Sequence, residues 1–465
     1  MPHGTQISRD LNQGPVTRTL LAFAMPLLFS SLLQLVYNTT DMIVVGHFVG
    51  RAGLGAASIG GDVMHFVAFV SMGFSNAGQV IISQFTGAGM GEQVSRTVGT
   101  LFTFLGAAGL VFGLCGVLLC DQLLGWINTP PEALAYARSY VTVCMAGLVF
   151  TYGYNIVSAI LRGMGDSRHP FIFISISVCL NVVLDLVFVI CFHWGLFGVA
   201  LATIISQAVS FATALAFLHR HRRSFGFAFR LKDFRPDETV LRPVLGLGLP
   251  MMLQSAAISF SMLFVNSWIN SYGVVASAMT GVGNKLSLMA NVINIALSTA
   301  CSAMIGQAIG AERYERVTRI MLVAQAVSGV TALALAVSVL TVPRLVFGIF
   351  TSDPEVLDMA MTYIPVALLL FLGCGTRPAM NALVNGSGNF KLNLTVGILD
   401  GIVARIGLAM LLGLGFHMGV HGFWYGSALA GLVPALVGVA YYLSGKWRTR
   451  KYIIERARKR AEVTS

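Results

Sequence analysis

Charged side chains are scarce in this chain. Asp, Glu, Lys and Arg together supply 11% of its 465 residues, where a soluble globular domain carries roughly 25%. That shortage excludes a water-exposed surface over most of the molecule. With 56% apolar residues and a mean hydropathy of +0.77, the chain reads as one that lives in lipid. Strict alternation of apolar and polar residues is also missing over most of the length, which excludes an outer-membrane barrel. Long polar tracts are few: only 219–242 has the length and charge of a connector, and no low-complexity segment is present.

Cysteine is sparse as well. The seven cysteines (Cys115, Cys120, Cys144, Cys179, Cys191, Cys301, Cys374) lie in apolar stretches without metal-type spacing, so neither a disulfide framework nor a structural metal site is expected. No His-Glu-x-x-His or Gly-x-Ser-x-Gly motif is present. Gly87, Gly89 and Gly91 lack the Lys-Ser/Thr ending of a phosphate-binding loop. A polytopic membrane enzyme and an ATP-driven exporter both lose support, and no cofactor is expected. His47, His65, His193, His417 and His421 are scattered at span ends or singly on apolar faces, and read as non-ligands.

What is present is a long series of apolar segments. Twelve can be read, at 18–47, 54–83, 97–120, 136–160, 170–192, 197–218, 243–270, 275–306, 320–346, 358–384, 393–415 and 421–444. Each reaches the ~20 residues that a helix needs to cross a bilayer. Met1–Thr17 is polar and the first apolar segment is too long for a signal-peptide core, so the first helix is expected to serve as its own insertion signal.

The net charge of +11 is topological in its placement. Arg220, Arg222, Arg223, Arg230, Lys232, Arg235 and Arg242 cluster in the central connector, and Lys446, Arg448, Arg450, Lys451, Arg456, Arg458, Lys459 and Arg460 in the tail. Arg51, Arg138 and Arg344 fall on the opposite side. By the positive-inside rule both termini are cytoplasmic, in a multi-pass protein of the cytoplasmic (inner) membrane. The basic tail is expected to orient the protein and touch anionic lipid rather than bind nucleic acid.

The chain is also duplicated. Gln84-Phe-Thr-Gly-Ala-Gly-Met-Gly-Glu-Gln-Val-Ser-Arg96 returns as Gln307-Ala-Ile-Gly-Ala-Glu-Arg-Tyr-Glu-Arg-Val-Thr-Arg319, identical at six places. Pro26 and Pro250, Gly163-Met-Gly165 and Gly386-Ser-Gly388, and His193-Trp-Gly195 and His417-Met-Gly419 keep the same offset of 223 or 224 residues. An even number of spans per repeat makes both halves enter the membrane in the same direction. The expected fold is an all-α integral membrane protein of twelve transmembrane helices, in two parallel six-helix repeats around a central cavity. The expected divisions are an N-terminal lobe at 1–218, a cytoplasmic basic linker at 219–242, a C-terminal lobe at 243–444 and a basic tail at 445–465. Two such lobes that rock against one another give alternating access, so transport is the leading class.

Away from the segment ends, seven charged residues fall inside the apolar segments: Asp41, Asp62, Asp185, Lys285, Arg377, Asp400 and Arg405. Each costs at least ~2.5 kcal/mol there on insertion scales, so each calls for a role. Asp41 and Asp185 stand at similar depth, Asn181 precedes Asp185 by one helical turn on the same face, and Thr203 enters the next span at that level. Two carboxylates, an amide and a hydroxyl at one depth suit a proton or a small hard cation such as sodium. Gln34, Asn38 and Asp41 form a polar stripe on the first span, with Pro26 as a bending point. Gln34, Tyr37, Asn38, Asp62 and Lys285 are the candidate substrate-cavity residues. The second half does not repeat the acids: Val265 takes the place of Asp41, Leu408 or Ala409 that of Asp185, and Arg405 lies near the slot of Asn181. Coupling chemistry is therefore expected in the first lobe, with Arg377 and Asp400 as a structural ion pair. Asp62 and Lys285 occupy equivalent positions with opposite charge, either pairing in one conformation or each facing the cavity alone.

These residues resemble those of the multidrug and toxic compound extrusion (MATE) transporters over almost the whole chain. The resemblance rests on the two six-span halves, Pro26 and Pro250, the Gln-x-x-Gly-Ala segments, Leu161-Arg-Gly-Met-Gly-Asp166, and above all Asp41 with Asn181-x-x-x-Asp185 and Thr203. That set is similar to the N-lobe cation site of the prokaryotic branch related to the DNA-damage-inducible type. The resemblance implies an antiporter that exports cationic, lipophilic drugs and metabolites in exchange for protons or sodium, and a monomer is expected. Ile258 stands where some relatives carry an acid, which argues against a C-lobe site of that type. A lipid-linked oligosaccharide flippase of the same wider superfamily is the alternative. It calls for a strongly cationic cavity, whereas this chain sets four intramembrane Asp against three bases.

Overall fold

In lipid every backbone amide must find its partner within its own segment, and the apolar stretches accordingly fold as helices. The computed structural model describes residues 10–222, 225, 231–235, 237–449, 453–455 and 457. Arg223, Arg230, Arg450, Lys451, Arg456, Arg458, Lys459 and Arg460, part of the basic inventory above, lie outside these described residues.

The first repeat comprises α1 (Val16–Phe48), α2 (Arg51–Gly87), α3 (Gly91–Leu118), the short α4 (Cys120–Trp126), α5 (Pro131–Ala146), α6 (Leu148–Gly163), α7 (Arg168–Leu186) and α8 (Gly195–His221). The second runs through α9 (Glu238–Asn270), α10 (Val274–Gly310), α11 (Tyr314–Thr341), the short α12 (Pro343–Gly348), α13 (Pro354–Gly386), α14 (Phe390–Ile398), α15 (Arg405–Met410), α16 (Val420–Ala430) and α17 (Val433–Leu443). Contacts divide the chain into two compact units. One holds Met25–Gly248, the other Leu11–Ala24 and Leu249–Glu455.

Among the described residues eleven helical spans are long and apolar enough to cross a membrane, and α5 and α6, bent by 48°, make a twelfth when taken together as one span. The break, unanticipated within 136–160, falls at Gly147. Glycine is a poor helix former, and here its missing side chain admits Ile204 of α8 against the backbone, where a Cβ would come within 2.4 Å of two Ile204 carbons. The equivalent position in the second repeat is Leu370, and α13 runs through it unbroken. Pro26, read above as a bending point, lies inside α1 without ending it.

The duplication extends to backbone details that only geometry reveals. Positive φ recurs at Gly50 and Gly273, Gly89 and Glu312, Gly165 and Gly388, His193 and His417, and Gly195 and Gly419. The Gln-x-x-Gly-Ala segments close α2 and α10 alike: the Ala88 N–H donates to Gln84 O at 3.0 Å and the Ala311 N–H to Gln307 O at 2.9 Å. One-turn π segments stand at Val187–Cys191 and Leu411–Gly415, with a third, Leu399–Ala404, in the second repeat.

The paired glycine motifs are packing devices. A Cβ on Gly163 would lie 2.8 Å from Gln79 O, and one on Gly386 would lie 2.9 Å from Ser302 O, the equivalent atom. Backbone cannot yield as a flexible side chain does. Gly163→Ala and Gly386→Ala are each expected to lower thermal stability by about 1–3 kcal/mol, the usual cost of overpacking. An unchanged melting temperature for either variant in detergent would show that the helices can separate freely there.

The central connector is partly docked. Thr103 Oγ1 on α3 donates to Phe234 O at 2.7 Å, Arg96 pairs with Asp237 at 3.2 Å, and Gly99 leaves no room for a side chain beneath Asp233. In the second unit the segment before α1 is held by the repeat motif itself. The Leu11 N–H donates to Gln307 Oε1 at 3.1 Å, and the guanidiniums of Arg313 and Arg316 donate to the Asn12 and Leu11 carbonyls. Trp447, buried against Tyr442 and Tyr314, ties the start of the tail to the same unit.

Candidate ion site and its counterpart

In the first unit α1, α7 and α8 bring one residue set together. The Asn181 amide nitrogen donates to Asp41 Oδ1 at 3.1 Å and to Asp185 Oδ2 at 3.2 Å. The two carboxyl groups are also within hydrogen-bonding reach of each other, and Asp41 reaches the Tyr37 hydroxyl. The Tyr37 hydroxyl donates to Thr203 Oγ1 at 3.1 Å. The Thr203 hydroxyl in turn donates to Val199 O at 3.0 Å, one turn back on α8. Asn181 and Asp185 are fully buried, and Asp185 Oδ1 has no hydrogen-bond partner.

All four residues singled out for ion coupling thus belong to one cluster. Tyr37, placed above with the cavity residues, bridges Asp41 to Thr203. Sequence reasoning missed Tyr140 and Cys144 on α5, which lie within electrostatic range of Asp41. It also missed Gln207, one turn after Thr203, whose Oε1 is buried without a partner. Their polarity is ordinary in a span, and only the approach of α5 and α8 to Asp41 marks them out. Gln34, Asn38 and Asp62 are exposed on α1 and α2, apart from the cluster, and Lys285 is exposed on α10 of the other unit.

The chemistry follows from charge. Two carboxylates in contact at a buried position repel when both are ionised, and a shared proton or a bound cation removes that repulsion. The orphaned Asp185 Oδ1, the other carboxylate oxygens and the Thr203 and Tyr37 hydroxyls form a hard oxygen set of the kind that holds a small cation. Among the described residues no group of three or more His, Cys, Asp or Glu side chains converges as a metal site. The π segment that follows Asp185 widens the helix next to the cluster, a placement common at functional sites.

The same positions in the second unit carry different chemistry. Asp41 is replaced by Val265, Asn181 by Arg405, Asp185 by Ala409 and Thr203 by Ser427. Arg405 Nη2 pairs with Asp400 Oδ1 at 3.0 Å, and Arg377 Nη2 with Asp400 Oδ2 at 2.7 Å. The expected Arg377–Asp400 pair is therefore two-thirds of a triad. Arg405 joins it because the π segment Leu399–Ala404 precedes Arg405 and Asp400 lies within it.

A duplicated chain whose described residues form membrane-spanning helices and no strand defines a membrane transporter of two repeats. Both halves match the MatE family model, at residues 26–187 and 250–411. The chain belongs to that family, the multidrug and toxic compound extrusion transporters. It is 28% identical over 447 residues to the probable multidrug resistance protein YpnP of Bacillus subtilis, covering 96% of this chain and 99% of YpnP. It is 24% identical to the probable multidrug resistance protein NorM of Thermotoga maritima, covering 94% of each. Among solved structures, a multidrug resistance MATE family transporter of the MOP superfamily in an outward-facing conformation superimposes with a TM-score of 0.87. That match has 22% identity and covers 97% of this chain and 100% of that one.

Proposed function

We propose that this protein is a cation-coupled antiporter that exports cationic, lipophilic drugs or metabolites in exchange for protons or sodium. The observation that carries the reading is the buried cluster of Asp41, Asn181 and Asp185, joined through Tyr37 to Thr203. A proton or cation taken up there neutralises the repulsion between the two carboxyl groups, and the first lobe changes shape around it. The two lobes expose the bound compound to one side of the membrane and then the other, so that entry of the ion favours release of the compound. Membership of the MATE family and the multidrug resistance names of the relatives support this substrate class. Asp62, exposed on α2, adds a negative charge that favours cationic compounds. The protein works as a monomer in the cytoplasmic membrane with both termini inside, a reading supported by the basic residues of the connector and tail.

Counterflow in proteoliposomes tests the proposal. A fluorescent lipophilic cation is equilibrated to equal concentration on both sides, and a pH gradient and a sodium gradient are imposed separately. One of the two is expected to drive efflux of the dye against its own gradient, which identifies the coupling ion. If neither gradient moves the dye beyond the rate in protein-free liposomes, the coupled-export reading fails.

A further inference from the structure

The seven intramembrane charges are divided unevenly between the units. Asp41, Asp62 and Asp185 lie in the first, while Lys285, Arg377 and Arg405 lie in the second with Asp400 as their one intramembrane acid. Around Asp400 one carboxylate faces two guanidiniums, so the cluster keeps an uncompensated positive charge. Arg405 is itself unsatisfied. Only 7% of it is exposed, its Nη1 reaches Ser427 O at a long 3.5 Å, and its Nε has no partner. A buried charge without a counter-charge is costly, and a guanidinium with a free donor edge is half of a bidentate anion site.

A cavity adjoins this cluster. It measures about 160 Å³ and is lined by both Arg377 and Arg405 and, among others, by Ile258, Met262, Val265 and Trp424. The lining sets the two guanidiniums beside apolar and aromatic side chains and the neutral polar Asn266, Asn284, Ser287 and Asn291. Trp424 is held in place because its indole N–H donates to Thr280 Oγ1 at 2.9 Å, while Tyr363 packs edge-on against it. Val265, Arg405 and Ser427, which line this cavity, are the repeat equivalents of Asp41, Asn181 and Thr203. After duplication these positions hold acids in one copy and arginine in the other.

We propose that the cavity of the second unit is a binding site for a carboxylate group borne on a small apolar or aromatic body, with Arg405 and Arg377 as its anion ligands. The planar guanidinium presents parallel N–H donors matched to the two oxygens of a carboxylate. The apolar wall accepts the body of the molecule, and the Trp424 ring offers it a face. The site admits anionic or zwitterionic compounds, beyond the cationic class proposed above, and is independent of ion coupling in the first unit.

Equilibrium binding of benzoate to the full chain in lipid nanodiscs, without any gradient, tests this site. The readout is tryptophan fluorescence, with Trp424→Phe as the control that removes the local signal. Benzoate is expected to bind at least tenfold more tightly than benzamide, its neutral isostere, and Arg377→Gln is expected to abolish that preference while leaving the Arg405–Asp400 pair intact. Asp400→Asn removes the competing carboxylate, so benzoate should bind this variant more tightly than wild type and raise its melting temperature further. Equal affinity for benzoate and benzamide in the wild-type protein overturns the proposal, as does an unchanged preference in Arg377→Gln. Should Arg377→Gln fail to fold, the Asp400→Asn comparison decides: weaker or unchanged benzoate binding there overturns it. Since no transport is measured, these outcomes stand apart from success or failure of the counterflow experiment.

Discussion

Replacing Asp41 by Asn is expected to bring gradient-driven export down to the level of protein-free liposomes, with the protein still folded and inserted. Asparagine preserves the size of the side chain and can accept the Asn181 hydrogen bond that Asp41 Oδ1 now accepts. What it removes is the charge, and with it the repulsion toward Asp185 that an incoming proton or cation relieves. Without that energy the ion has no differential affinity for the two states, and nothing couples its entry to release of the exported compound. Asp185→Asn should be as severe, because the carboxyl groups act as a pair. Asn181→Ala and Thr203→Ala should shift the ion dependence more mildly, since a neutral ligand contributes less to binding a charge. Ala409→Ser, at the position equivalent to Asp185, should be nearly silent. Full drug export by Asp41→Asn at wild-type expression would remove the cluster from the coupling mechanism. Retained coupling in Asp185→Asn combined with its loss in Ala409→Ser would move the ion site to the second unit.

Asp400→Leu is expected to be the most destabilising single change in the second unit. Asp400 is fully buried and accepts from both Arg377 and Arg405. Removing it strands two guanidiniums, one of them almost wholly buried, and breaking a buried ion pair in this way costs roughly 3–5 kcal/mol. Replacing all three members together, Arg377→Met with Asp400→Leu and Arg405→Met, should recover most of the loss because no charge is then left in a dry place. Thermal unfolding in detergent distinguishes the cases. A wild-type melting temperature for Asp400→Leu would mean that solvent already reaches both arginines and that the triad contributes little to the fold.

Much of the architecture was legible along the chain. Span length and the shortage of charge follow from the bilayer, which allows few alternatives to a helix of about 20 apolar residues. The repeat was visible in Gln84 and Gln307, Gly163 and Gly386, and His193 and His417. The acidic cluster could be read because α-helical periodicity puts Asn181 and Asp185 on one face, and because an intramembrane carboxylate is too costly to be incidental. Tyr37 is legible as a polar residue of the first span, but its bridge from Asp41 to Thr203 depends on the approach of α1 to α8.

Other features had no local signal. Gly147 is one of 50 glycines, and it breaks a span because Ile204 fills the space its side chain would take. Gln307 is visible as a repeated residue, but its hold on Leu11 spans nearly three hundred positions of chain. Arg405 could be matched to Asn181 by counting, yet its place in a triad with Asp400 depends on the wider turn of Leu399–Ala404. By itself the sequence determined the membrane, the number and order of spans, the duplication and the chemical types available, because each is set by composition or by a repeat in one dimension. Only the tertiary structure decided which polar groups meet and which are left without partners. Hydrogen bonds and charge pairs act over about 3 Å, and that proximity is created by helices distant in sequence packing side by side.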